Sequence, residues 1–387
     1  MFEYPSLIVL GSTGSVGTQA LDVARANNIR VKALSANRDV IAIEHQAREF
    51  KPRAVAMSDI EAAKDLAVRL KDTDIKVYQG QTGICSMIEE SDADSVVNSI
   101  TGRAGLLPTL SVIKSGKRLA LANKESLVVA GEIVMSEVKR HGTVLTPVDS
   151  EHCAIHQCLR SGNADEIQRL ILTASGGPFF GKTKAELANI TVENALAHPT
   201  WKMGAKITVD SATLMNKGFE VIEAAHLFGI TADKIDVVVH RESIIHSMVE
   251  YIDNSIMAQL SVPDMRHCVQ YALSYPRRAA SVTPRLSLTA LSGLTFAEPD
   301  KNTFVLLQMA YDALTAGGAT AAVLNAANEV AVDLFLSKSL SFLGIFDTVC
   351  RTVEALSDAK YEHSLEGILE YDRLARLMAL DVSKNIN

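Results

Sequence analysis

The chain has 387 residues, enough for two or three domains with ample core. Its 38 Lys+Arg against 45 Asp+Glu give 38 − 45 = −7, which argues against a nucleic-acid binder, since that class needs a basic footprint. The 48% hydrophobic content holds no apolar run of membrane-spanning length, and the five cysteines are scattered, odd in number and without a CxxC, as in a reduced cytoplasmic protein. The first residues, MFEYPSLIVLGSTG, have no basic leader region and run straight into a glycine loop, so no signal or transit peptide is read there.

In chain order, Ser6 to Leu10 is an apolar run of buried-strand length. It enters Gly11-Ser-Thr-Gly14-Ser-Val-Gly17, and a helical pattern follows. Strand, glycine loop and helix form a dinucleotide-binding turn, in which glycines let the backbone approach a pyrophosphate at a helix N-terminus. The spacing is GxxGxxG, and the alternative is any tight strand-to-helix turn. A second strand, Val31 to Ser35, leads to Ala36-Asn37-Arg38, and an Arg with small polar neighbours fits a 2′-phosphate, hence NADP. Asp39 reads as a cap for the next helix. Further apolar runs at 54–57, 75–78, 95–98, 119–122 and 144–145, alternating with helical stretches, predict a doubly wound parallel sheet over about the first 150 residues.

Two strand ends in that region carry chemistry. In Ala122-Asn123-Lys124-Glu125-Ser126 a lysine stands where the ligand crevice opens, able to hold a substrate oxygen or simply to start a helix. In Pro147-Val148-Asp149-Ser150-Glu151-His152 two carboxylates two residues apart lie on one side of an extended chain, which suits Mg²⁺ or Mn²⁺ if a third, distant carboxylate joins them. Past residue 150 a strand, Ile167 to Ala174, closes in Ser175-Gly176-Gly177-Pro178, a plausible anion-binding turn. The loop His198 to Gly204 holds the only tryptophan, Trp201, which either plugs a core or forms a lid. The β-branched run 207–209 precedes candidate helix caps at 210–213. On the helix beyond, Asn216, Lys217 and Glu220 share one side near Ser211: an ordinary solvated face, or a site for a phosphorylated, metal-bound ligand. Apolar runs at 235–240, 244–251 and 256–262 predict the sheet of a second α/β domain, with His240 and His246 as core or hydrogen-bonded residues. A proline-rich connector spans 275–300. Helical periodicity at 303–336, broken at Gly317-Gly318, and again at 347–356 and 365–380, predicts a helical third domain.

Together these motifs resemble the 1-deoxy-D-xylulose 5-phosphate reductoisomerases almost end to end: GSTGSVG, ANKESLV, PVDSEH, LTASGGPF, HPTWKMGAKITVDSATLMNKGFEVIEA, SIIHSMVEY, PDMR and LNAANEVAV. The resemblance implies a Rossmann-type α/β domain at 1–149, a catalytic and connective α/β domain at 150–274 with a flap at 197–205, a linker at 275–300 and a helical bundle at 301–387. It implies a cytoplasmic homodimer that isomerises and reduces a ketose phosphate to 2-C-methyl-D-erythritol 4-phosphate with NADPH and Mg²⁺ or Mn²⁺. Residue by residue, it makes Asp149, Glu151 and Glu220 metal ligands. Lys124, Ser150, Glu151, Ser175, His198, Ser211, Asn216, Lys217 and Glu220 become substrate contacts, with Ser175, Ser211, Asn216 and Lys217 around the phosphate. Thr13, Gly14, Ser15, Val16, Ala36, Asn37, Arg38, Asn123, Glu125 and Gly204 line NADPH. Trp201 and Met203 cover the substrate, and Lys124, Glu151, His198, Trp201 and Met203 form the catalytic set. Ala36, Arg38 and Arg241-Glu242 depart from the pattern common in this family. The rival reading is another NADP-dependent aldehyde or semialdehyde oxidoreductase, which would need no trio of carboxylates.

Overall fold

Short, largely apolar runs become the seven parallel strands of one sheet, and burial on both faces explains why most of them read as continuous rather than alternating patterns; the edge strand Lys76–Gln79 is partly exposed. The computed structural model describes residues 4–201, 203–357 and 364–386. Its first elements alternate strictly: β1 (Leu7–Leu10), α1 (Ser15–Ala26), β2 (Val31–Ala36), α2 (Val40–Phe50), β3 (Ala54–Met57), α3 (Ile60–Arg69), β4 (Lys76–Gln79), α4 (Gly80–Glu90), β5 (Ser95–Asn98), α5 (Leu106–Lys114), β6 (Arg118–Leu121), α6 (Glu125–His141) and β7 (Leu145–Pro147). The strand order β4-β3-β2-β1-β5-β6-β7 reverses direction between β1 and β5, the point at which such sheets open a ligand crevice at their carboxyl ends. Asp39 caps α2 by accepting from the Ala42 N–H at 3.0 Å, and Asp59 caps α3 in the same way.

α7 (Ser150–Cys158) follows β7. The extended geometry expected for Asp149 to Glu151 is therefore replaced by a helix start: the Asp149 carbonyl accepts from the Cys153 N–H at 2.8 Å, and Glu151 lies in the first turn. Carboxylates in this position meet the positive end of the helix dipole, which offsets part of the cost of placing them together.

The chain then forms β8 (Ile167–Ala174), α8 (Lys184–Leu187), α9 (Val192–Ala195), α10 (Ala205–Ala212), α11 (Met215–Phe228), β9 (Ile235–Val239), β10 (Ile245–Tyr251) and β11 (Ile256–Leu260). These strands order as β11-β10-β8-β9, with β8 and β9 parallel and β10 antiparallel to both its neighbours. The β-branched run 207–209 lies inside α10, and residues 210–213 end that helix instead of capping the next. Strand preference at three positions is worth a few tenths of a kcal/mol each, less than the burial of Thr208 and Val209 in the helical arrangement. The break between α10 and α11 falls on Leu214, whose φ of 60° places a branched side chain in the left-handed region.

After α12 (Met265–Ser274) come α13 (Val305–Ala316), α14 (Thr320–Leu336), α15 (Phe342–Ala355) and α16 (Leu365–Ser383), the helical set predicted from periodicity. The chain divides into two compact units. The first comprises 1–126, 134–156 and 264–285; the second comprises 127–133, 157–263 and 286–387. In the first, Val269, Ala272 and Leu273 of α12 join Ala20, Leu21 and Ala24 of α1 in the same core. In the second, α14 packs against α13, α15 and α16, and Phe342 meets Phe179, Phe335 and Phe346 edge to face.

Candidate active site

In the first unit the loops at the carboxyl ends of β1, β2, β5, β6 and β7 carry the expected residues. Gly11 takes a φ of 74° and passes so close to Ser99 that a Cβ on it would lie 2.8 Å from the Ser99 carbonyl oxygen. Gly17 lets α1 start against the loop backbone, since a Cβ there would sit 2.6 Å from Ser12 Cα. Gly14 stands at the N-cap of α1, where no side chain caps the helix, so this end offers backbone N–H groups and a positive dipole to an anion. Thr13 and Val16 are half-buried, and Gly14 and Ser15 are exposed. Ala36 ends β2, with Asn37 and Arg38 exposed beyond it. Arg38 is 79% exposed and pairs with Asp59 at 2.8 Å.

The Asn123 amide is locked by the loop after β5, donating to the carbonyls of Ile100 at 2.7 Å and Gly102 at 2.9 Å and to Glu125 at 3.0 Å. That fixes Lys124 beside it. Lys124 Nζ lies 2.6 Å from Asp149 Oδ2, with side chains only 6% and 12% exposed. Ser150 donates to the Glu151 carboxylate. Ser99, which no motif in the sequence marks beyond Thr101-Gly102 just past a buried strand, donates its hydroxyl to the Leu10 carbonyl at 2.6 Å and ties β5 to β1 at the switch point.

In the second unit, Ser175, His198, Ser211, Asn216, Lys217 and Glu220 come from β8, the loop before α10, α10 itself and the first turns of α11. Gly176 and Gly177 both have positive φ, and a Cβ on Gly177 would stand 2.6 Å from the Ser211 carbonyl oxygen, so the Ser175 turn and α10 are in direct contact. His198 Nδ1 accepts the N–H groups of Thr200 at 3.2 Å and Trp201 at 2.9 Å. This network assigns the proton to Nε2, which donates to Ser175 Oγ at 3.1 Å. Ser175 Oγ also accepts the Gly177 N–H at 3.3 Å, so its own hydrogen remains for a ligand. Burial first, and the charge of Arg241 second, hold the His198 imidazole below its ordinary pKa, which keeps this tautomer neutral.

Trp201 is half-buried, its ring 6.3 Å from that of His246, and the residues before it are pinned by His198. Met203 is half-buried and Gly204 caps α10; Lys202, within the expected flap, lies outside the described residues. On α11, Glu220 accepts from Asn216 Nδ2 at 2.5 Å and pairs with Lys217, and its side chain is 1% exposed. A buried carboxylate with a lysine and an amide at its two oxygens is the opposite of a solvated helix face. Gly218 lets α11 press onto Ala310 of α13. His240 and His246 are buried and hydrogen-bonded, to Thr295 at 2.9 Å and Ser261 at 2.8 Å, as expected of core histidines.

Three family models cover most of the chain: 1-deoxy-D-xylulose 5-phosphate reductoisomerase at residues 7–131, its C-terminal domain at 145–228, and the DXP reductoisomerase C-terminal domain at 260–378. The chain belongs to the 1-deoxy-D-xylulose 5-phosphate reductoisomerase family. Among reductoisomerases, that of Chlorobium phaeobacteroides is 50% identical over 97% of this chain and 98% of its own length. That of Caldanaerobacter subterraneus is 54% identical over 90% and 91%. The solved reductoisomerase of Zymomonas mobilis in complex with NADPH matches with a TM-score of 0.91 at 41% identity, covering 99% of this chain and 100% of that one. A reductoisomerase in complex with NADPH, fosmidomycin and magnesium matches with a TM-score of 0.93 at 38% identity, covering 98% of each chain. The reductoisomerase resemblance read from the motifs is thus borne out, and so is the α/β fold with its N-terminal Rossmann-type sheet and C-terminal helices.

Proposed function

We infer that this chain carries out the reaction of its family, the NADPH- and divalent-metal-dependent conversion of 1-deoxy-D-xylulose 5-phosphate to 2-C-methyl-D-erythritol 4-phosphate, on the path to isoprenoid precursors. The observation that carries this reading is the family match over nearly the whole chain, combined with oxygen-rich, partly desolvated side chains at each motif. The donors at Asp149, Glu151 and Glu220 are carboxylates only, the class that suits Mg²⁺ or Mn²⁺ rather than zinc. We assign them as the residues that hold the ion. When bound, the ion supplies a Lewis acid for oxygens that gain negative charge during the rearrangement, and NADPH supplies the hydride.

The chain's own residues do the rest. Ser175, Ser211, Asn216 and Lys217 grip the phosphate: the Ser175 hydroxyl, with its oxygen accepting from Gly177 and His198, keeps its hydrogen for an anion, and Lys217 adds a buried positive charge. Binding energy gained there positions the reacting carbons. Lys124 and Ser150 meet the substrate's oxygens. His198 orders the loop that carries Trp201 and Met203, which covers the substrate and excludes water. The glycine loop with Thr13, Gly14, Ser15 and Val16 holds the pyrophosphate, Ala36, Asn37 and Arg38 hold the adenosine end, and Asn123, Glu125 and Gly204 complete the nucleotide site. Nucleotide binding falls to residues 1–149 with Gly204, and catalysis to 150–274 with Lys124 and Asp149. We further propose a cytoplasmic homodimer; among the described residues no helix is long and apolar enough to cross a membrane.

The test is NADPH consumption with the phosphorylated ketose, with and without EDTA. Oxidation that needs the ketose and stops on chelation, and returns with either Mg²⁺ or Mn²⁺, is the expected result. Turnover indifferent to chelation would reject the metal assignment, and no turnover with metal present would reject the activity.

A further inference from the structure

Asp210 precedes Ser211 on α10 and is buried. Its two carboxylate oxygens have different partners. Oδ1 accepts from Asn328 Nδ2 at 2.7 Å, and Oδ2 pairs with Lys206 Nζ at 3.0 Å. Lys206 lies four residues back on the same helix, and its charge also acts on Glu329 of α14, but a charge attraction of that kind sets no direction. Asn328 can set one, because it projects fully buried from α14. Next to it on α14, Glu329 accepts from Asn325 Nδ2 at 3.1 Å and from Arg376 of α16 at 2.6 Å, and Arg376 also pairs with Asp372 at 2.8 Å. A polar seam thus runs from α16 through α14 to α10.

Such a seam does what apolar packing does less well. α10 is eight residues long, too short to hold its own geometry in water. Apolar contacts are non-directional and would let so short a rod roll about its axis. A hydrogen bond to a buried carboxylate fixes the roll, because losing it leaves a desolvated charge without one of its donors. Ser211 lies about 100° around the helix from Asp210, so the roll sets where its hydroxyl points. The tolerance is small: the Ser211 carbonyl is already against the backbone of Gly177. Moreover, Asn328 Oδ1 finds no hydrogen-bond partner among the described residues.

We propose that Asn328, acting through Asp210, is a positioning residue for the substrate phosphate, fixing the roll of α10 and with it the direction of the Ser211 hydroxyl. The proposal rests on the reading that Ser211 meets the phosphate. The test compares Asn328→Ala, Asn328→Asp, the double variant Asn328→Asp/Asp210→Asn, and Ser211→Ala in the full-length, metal-loaded enzyme. Asn328→Ala should raise KM for the phosphorylated ketose about tenfold, as for a hydrogen bond to a charged group, and leave KM for NADPH within about twofold. Asn328→Asp, which sets carboxylate against carboxylate, should do more. The double variant restores a donor–acceptor pair in reverse and should recover most of the loss in ketose KM, while the unchanged NADPH KM separates positioning of the phosphate from a general loss of structure. If Asn328→Asp does not fold, Asn328→Ala alone decides. An unchanged ketose KM in folded Asn328→Ala, or a parallel rise in the NADPH KM, overturns the proposal. An unchanged ketose KM in Ser211→Ala instead overturns the phosphate reading beneath it.

Discussion

Gly17→Ala separates two opposing local effects by size. A helix interior prefers Ala to Gly by about 1 kcal/mol, so α1 considered alone would gain. The structure places the new Cβ closest of all to the Gly11 carbonyl oxygen, and 2.6 Å from Ser12 Cα and 2.8 Å from the Gly11 carbonyl carbon, all backbone atoms that cannot rotate away. Ordinary contact begins near 3.4 Å, so α1 or the loop must retreat by at least 3.4 − 2.6 = 0.8 Å. Overpacking of this kind costs about 1–3 kcal/mol, and against rigid backbone the upper part of that range applies. The net result is a destabilisation of about 1–2 kcal/mol, a fall in melting temperature of a few degrees for a unit of this size. The shift also moves the N-terminus of α1 away from the pyrophosphate position, so NADPH affinity should fall about tenfold or more. Thermal unfolding without ligand and NADPH titration by fluorescence measure the two effects separately. A variant that melts as high as the parent and binds NADPH equally well would refute the close approach of α1 to the glycine loop.

Glu220→Gln should lower turnover by about two to three orders of magnitude with NADPH affinity within about twofold; a variant retaining a tenth of parental turnover would remove Glu220 from the ion-holding set. Arg38→Ala should raise KM for NADPH about tenfold and leave KM for NADH unchanged, at no cost in melting temperature because Arg38 and Asp59 form a surface pair; equal use of the two nucleotides by the parent enzyme would reject the role of Arg38. The depressed His198 pKa gives a sign to the pH dependence. Because the folded protein favours the neutral ring, its contribution is full above the unfolded value near 6.5 and is lost as pH falls through the lower folded value. The acid limb of kcat/KM should therefore lie below pH 6.5, and it should move or vanish in His198→Asn; a limb unmoved by that change belongs to another group.

Much of the fold could be read in advance because its signals are local. The inner strands of the first sheet are apolar on both faces, and the break at Gly317-Gly318 falls between α13 and α14. What escaped depends on distant partners. The 207–209 run is helical because residues far along the chain bury it, and the chain at Asp149 to Glu151 turns into a helix directly after β7 ends at Pro147, which the spacing of the two carboxylates does not announce. The side chains of the site were legible as residue types at motif spacing, but their environments were not. Nothing in Asn216-Lys217 announces that Glu220 is buried with both oxygens occupied, and nothing near Asn328 points to Asp210, 118 positions earlier.

The return of α12 to the core around α1 has a consequence during synthesis. The ribosome has released every strand of the seven-stranded sheet long before it makes residues 265–274 that complete the core. At ordinary elongation rates, roughly 5–20 residues per second, the interval between β7 and α12 lasts on the order of 6–25 s. Through that time part of α1 is exposed on the nascent chain, a natural landing place for a chaperone. Nascent chains stalled before residue 264 should be cut by protease within α1, and chains stalled well after residue 285 should resist.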